Sequence, residues 1–290
     1  VGGLDIGEGL LQIGKRDTIR ILTAQAAIDG RLPVAVDEVA RIPYVPKRVT
    51  RELRDLTVDG RVRGFFDLSI PIRGAAKIPT IATRVEVSEA TVSVSGLPIK
   101  LQHVNGQFVY EYPRGIVDGS LMARFENQDV SLDLNLDKAD LGLSQKGFSV
   151  ATSARLGVSD VSRLLGVRVP DGLLDGSSAF DIVFQAGEGV ALNVTSNLEG
   201  LAIGLPAPFS KPPEQSKLLE IDLRISDSVF IDAAYSNALS LSIAQDAENA
   251  WRALASIREV NQELSLDEVE AGTVVISGRV EELDVSAWAD

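Results

Sequence analysis

Residues 9–16, GLLQIGKR, hold the glycines and lysine of a phosphate-cradling loop, whose backbone amides grip phosphate while a final Ser or Thr holds the metal. Arg16 stands at that final position and the residues between the glycines are mostly apolar, so nucleotide binding is not expected. Asp133, Asn135 and Asp137 have the spacing of the first calcium ligands of a helix-loop-helix site. Lys138 occupies its glycine position, however, and Ser144 its bidentate glutamate position. A period of two is instead that of a strand's wet face. His103 is the only histidine, so any Ser-His-Asp triad or histidine-bearing metal site must use it. It follows Lys100 and Gln102 in a strand-like run with no G-x-S-x-G, which places it on a strand surface. Asn193-Val-Thr195 is a glycosylation sequon in mid-strand. The absence of cysteine removes thiolate zinc sites, disulfides and thiol nucleophiles. Paired-acid chemistry needs only two carboxylates, yet nothing singles out a pair, and two tryptophans in a chain that is 5% aromatic make a poor sugar platform. No enzymatic activity, cofactor or metal is expected.

The 290 residues suffice to bury roughly three quarters of their unfolded surface in one or two domains. Lys+Arg 28 against Asp+Glu 41 leaves a net charge of −13, which lacks the positive footprint that nucleic acid requires. No run of 18 or more apolar residues and no charged-then-apolar leader is present. The chain therefore reads as a segment whose anchor or signal lies outside it.

The dominant pattern is alternation with period two. Strands are expected near residues 10–14 and 18–27. From residue 60 to 156 strands of about 6–10 residues follow one another, separated by Gly, Pro, Asn and Asp. Ile81, Thr83, Val85 and Val87 oppose Arg84 and Glu86; Val92 and Val94, Phe108 and Tyr110, then Leu121, Ala123 and Phe125 continue one face. The cleanest case sets Val130, Leu132, Leu134 and Leu136 against Asp129, Ser131, Asp133, Asn135 and Asp137. Phe180, Ile182 and Phe184 resume the series, followed by Leu192 and Val194. Beyond them come Ile203, then Leu219, Ile221 and Leu223, Ile231, Leu241 and Ile243, and lastly Val274 and Ile276. One apolar and one wet face mean an antiparallel sheet.

Three short helices are expected. One follows Pro46, with Val49, Leu53 and Leu56 on one side and Lys47, Arg48, Arg51 and Arg54 on the other. A second begins near Ser159 and ends at Gly166. A third, over residues 246–260, has Ala247, Trp251, Leu254 and Ile257 on one stripe. The loop with prolines 206, 208, 212 and 213 cannot be a central strand, since proline lacks the ladder donor. It is expected at the rim of the sheet. GFFDLSI from Gly64 and GSSAFDIVF from Gly176 suggest repeat units 1–145 and 146–290 within one continuous segment. So few helices cannot cover so many strands. The apolar face must fold onto itself or curl into a trough lined by Val, Leu and Ile.

Two passages carry a family likeness. SNLEGLAIGLPAPFSKP over residues 196–212, followed by a polar spacer and an aliphatic strand, resembles the YhdP-type branch of the AsmA-like envelope proteins of Gram-negative bacteria. So does the passage from Gly96 to Leu136, where GLPIKLQHVNGQFVYEYPRGI is followed by DGSLMARFENQDVSLDL. The likeness covers roughly residues 56–290. It implies a long, strongly curved antiparallel sheet, an open apolar groove with about three short helices at its rim. It also implies phospholipid acyl chains as the ligand, carried across the periplasm between inner and outer membranes by a protein anchored in the inner membrane. The apolar strand residues named above from Val85 to Ile276, Ala123 excepted, would line the groove. The competing expectation is an assembly or envelope-integrity factor whose sheet edges bind outer-membrane or other envelope proteins.

Overall fold

The computed structural model describes residues 3–16, 19–41, 56–73, 80–94, 100–112, 115–125, 128–135, 148–165, 168–186, 190–207, 209–226, 228–246, 248, 250–257 and 265–279. Their contacts divide the chain into two compact units. One comprises residues 1–138 with 146–150, and the other residues 139–145 with 151–290.

In the first unit, seven strands follow the chain in order, each antiparallel to its neighbour. They are β1 (Leu4–Arg16), β2 (Ile19–Arg31), β3 (Leu56–Arg73), β4 (Thr80–Val94), β5 (Lys100–Tyr112), β6 (Gly115–Phe125) and β7 (Gln128–Asn135). Local reversals make this meander, because antiparallel neighbours need only short connections. The longer β2–β3 connection contains helix α1 (Leu32–Arg41). Pro33 suits its first turn, where the missing amide has no helical partner. Leu32, Val36 and Ala40 recur every fourth residue. With residues 1–44 read only as weakly alternating strand, this helix was not among those expected.

Strand β8 (Phe148–Gly157), most of which belongs to the second unit, leads into helix α2 (Val158–Leu165), as expected from Ser159. Asp160 holds its entry by accepting a bond from the Gly157 amide at 2.9 Å. There follow β9 (Leu174–Ala186), β10 (Val190–Ser196), the short β11 (Leu201–Ile203), β12 (Leu219–Ile225), β13 (Val229–Tyr235), β14 (Leu239–Gln245), β15 (Trp251–Ile257) and β16 (Val274–Gly278). The lateral order is β8-β9-β10-β12-β13-β14-β15-β16, with β11 pairing off this path with the start of β9. β15 and β16 run parallel, a departure from the all-antiparallel expectation. Parallel partners need a crossover, and it includes a 3-10 helix (Leu266–Glu268) with a capping box formed by Ser265 and Glu268.

Over the described residues the expected third helix does not form: residues 251–257 are β15, paired along its whole length with β14. Asp246, the first residue of the expected helix, instead accepts the amides of Glu248 and Ala250, both at 2.9 Å, and closes a turn. In the strand Ala253, Ala255 and Ile257 face one way and Arg252, Leu254 and Ser256 the other. The ladder overrides the helical preference of Ala and Leu. The helix expected after Pro46 lies outside the described residues, except Leu56, which opens β3.

Candidate functional site

Pairing assembles the aliphatic positions into cross-strand rows. In the first unit one row runs Ile28, Gly64, Val85, Phe108, Gly119, Leu134, and the next Gly30, Val62, Val87, Gly106, Leu121, Leu132. Tyr110 lies opposite Thr83, Val92 opposite Val58 and Leu101, and Val130 opposite Ala123. Val87, Phe125, Val130, Leu132 and Leu134 are buried, whereas Val85, Val92, Phe108, Tyr110 and Leu121 are half-buried. Val94 ends β4 opposite Leu56, and Leu136 lies outside the described residues. The glycines accommodate large neighbours: a Cβ on Gly119 would stand 2.5 Å from the Cβ of Phe108.

The second unit repeats the scheme with shorter strands. Phe184, Leu192, Leu223, Ile231, Ile243, Ala253 and Val274 form one row. Ile182, Val194, Ile221, Ala233, Leu241, Ala255 and Ile276 form the next. Leu219 continues the same face beside Ser196, Tyr235 and Leu239, and Phe180 extends it along β9. Ile203 stands apart from these rows. It pairs with Leu174 and Lys211 and belongs to the approach to the proline loop.

The opposite faces carry cross-strand polar pairs. Arg61 and Arg63 donate to Asp29 at 2.9 and 3.2 Å, and both bonds hold its carboxyl below the usual range. Asp59 is lowered by the Gly60 amide and then by Arg31 at 3.2 Å. In the second unit Arg224 and Ser242 converge on Asp232, while Asn193 donates to Asp222 at 2.8 Å, so the sequon asparagine is engaged in the ladder.

His103 lies on this wet side, its Nδ1 2.9 Å from Glu89, whose carboxyl is lowered by that bond and by Asn105. Both Glu89 and His103 have positive φ, at 47° and 48°, beside irregularities in the β4–β5 register. Residues 9–16 lie in β1, hydrogen-bonded along β2, which is strand geometry and not a phosphate loop. Among the described residues no group of three or more His, Cys, Asp or Glu could hold a metal.

The proline loop departs furthest from a simple connection. The preceding turn places Leu198 at φ 55° yet buries its side chain to 2% exposure; its amide donates to Ser196 Oγ at 3.0 Å. Ile203 and Lys211 then exchange backbone bonds of 2.8 and 3.0 Å. Lys211 is 1% exposed and donates through Nζ to the carbonyls of Leu201 at 2.6 Å and Pro212 at 3.1 Å. Burial lowers its pKa. Phe209 is buried, and its carbonyl accepts the Tyr235 hydroxyl at 3.3 Å; the Lys217 ammonium lies 5.1 Å from the same ring. Pro212 and Pro213 are exposed and Pro206 half-buried, consistent with a rim position, while Pro208 lies outside the described residues. The sequence revealed the loop but neither its buried lysine nor its left-handed leucine. No local pattern marks either one, because burial of a side chain depends on what folds over it.

No curated protein and no solved structure matches the chain. A family model described as "YhdP protein" matches residues 24–290, reaching upstream of the passages whose likeness was evident in the sequence. The chain, with its strand meanders and its proline loop, thus belongs to the YhdP family.

Proposed function

We propose that the chain carries phospholipid acyl chains along an open, curved apolar groove built from these faces, passing them between inner and outer membranes across the periplasm. The supporting observation is an aliphatic face in each unit, made of buried and half-buried side chains, opposed by a face with cross-strand polar pairs, several of them ionic in the first unit and Arg224 with Asp232 in the second. Membership of the YhdP family supports an envelope role in lipid transport. Each methylene withdrawn from water contributes about 0.8 kcal/mol, so acyl chains do not cross an aqueous space unaided. A smooth aliphatic surface removes that barrier, while head groups stay in water. The mechanism needs no catalytic residue and no cofactor. No described helix is long and apolar enough to cross a membrane, so in this reading anchoring in the inner membrane belongs to other parts of the protein.

Leu241→Asp, on the aliphatic face of β14, should lower co-purifying phospholipid measured by native mass spectrometry, whereas Ser240→Asp, on the opposite face, should leave it near the wild-type level. Equal lipid content in both folded variants would overturn the reading.

A second reading is favoured by β1, where Ile6, Leu10, Leu11 and Ile13 are 57–71% exposed. Such an edge suits addition of a strand from an envelope protein partner. An outer-membrane barrel protein retained by the wild-type edge and lost when β1 is charged would support it.

A further inference from the structure

We infer that the proline loop is an end wall of the apolar face in the second unit, so that an acyl chain lies along the strands with its terminal methyl against the loop and its polar head at the opposite strand ends. This rests on the lipid-carrying reading and adds an orientation to it.

The two ends of the face differ. At one end the last row is Ser196, Leu219, Tyr235, Leu239 and Ile257. Residues 204–218 are fastened there by backbone bonds from Gly204 to Leu173, Gly200 to Pro213 and Lys217 to Asn197, each 2.8–2.9 Å. Tyr235 shares the face of Ile231 and Ala233. Tyr235 is 9% exposed, with its hydroxyl bonded to the Phe209 carbonyl and Lys217 beside its ring. The loop therefore lies over this end of the face. Lys211, donating to two carbonyls from a buried position, ties the loop to β11.

At the other end the row is Val190, Ile225, Val229, Gln245 and Trp251. Backbone bonds from Ser226 to Ser228 and from Asp246 to Ala250 join the strands there, and Ile225 and Trp251 are 37% and 45% exposed. An exposed tryptophan beside a glutamine at the margin of an aliphatic strip matches the amphipathic character of rings found where hydrocarbon meets water.

The length agrees. From Val190 to Ser196 the strip spans six residue steps, about 20 Å at about 3.3 Å per step. One leaflet's share of a hydrocarbon core about 30 Å thick is about 15 Å. An acyl chain thus fits between the wall and the open margin with its head beyond Trp251.

The intact chain would be loaded with phosphatidylethanolamine carrying a diazirine either at the acyl terminus or beside the ester carbonyl, irradiated, and its adducts mapped to single residues by tandem mass spectrometry. The terminal probe should label Leu219, Tyr235 and Leu239 several-fold over Ile225, Val229 and Trp251, and the carbonyl-proximal probe should show the reverse preference. Uniform or inverted labelling would overturn the orientation while leaving lipid carriage intact. Failure of both probes to label the aliphatic face would remove the orientation and the carrying function together.

Discussion

Lys211 is buried with carbonyl oxygens rather than a carboxylate as partners. Loss of water is the largest influence lowering its pKa, Lys217 adds to it, and Glu214 and Glu199 oppose it. Because the folded value lies below the ordinary 10.5, the unfolded chain binds more protons between the two, and stability should rise as pH increases through that window. Tyr235 has the opposite effect at its upper end. Burial raises its folded pKa above 10.0, so its contribution falls as pH passes the unfolded value. Lys211→Met should abolish the first effect: wild type should gain in unfolding midpoint relative to the variant as pH approaches 10. A constant difference between the two from pH 7 to 10 would show that Lys211 keeps its ordinary affinity for protons. The sequence offered no reason to single out this lysine, since burial of a side chain depends on what folds over it.

Alternation specifies faces at the scale of the strand, and register then decides which side chains meet. In β5 and β6 the pairing sets Phe108 opposite Gly119, leaving no room for a Cβ at the glycine. Gly119→Ala should therefore cost about 1–3 kcal/mol through overpacking, with the urea midpoint lowered by the corresponding amount. An unchanged midpoint would mean that Phe108 yields at no cost. The strands of the first unit were readable because period two recurred under a clear contrast of aliphatic and charged residues. β15 was not, since WRALASI offers three small residues and a stripe that fits either period; pairing with β14 decides it. The face assignments, by contrast, followed from the chain alone. A one-residue slip would put Asp129, Ser131 and Asp133 where Val130, Leu132 and Leu134 are buried.

For the whole molecule, the exposed edges carry the consequence. On β1, Leu11 and Ile13 share a side, and both present apolar surface beside backbone groups with no described partner strand. Leu11→Lys with Ile13→Lys should reduce self-association seen by light scattering at high concentration, because charge on an edge opposes strand addition. If association is unchanged, the edge is not the adhesive surface. Leu241→Asp and Ser240→Asp test the aliphatic face as a lipid carrier, and the diazirine probes test the direction of the bound chain. Composition and alternation by themselves determined a mainly β chain with one aliphatic and one wet face, no thiol chemistry, and a proline loop outside the central strands. Those properties are local, fixed by residue type and by the two-residue period of extended backbone. Only tertiary structure decided that β16 runs parallel to β15, that residues 251–257 are strand, and that the proline loop turns back over Tyr235 around a buried lysine. Each depends on contacts between residues distant in sequence, whose pairing energies no local pattern encodes.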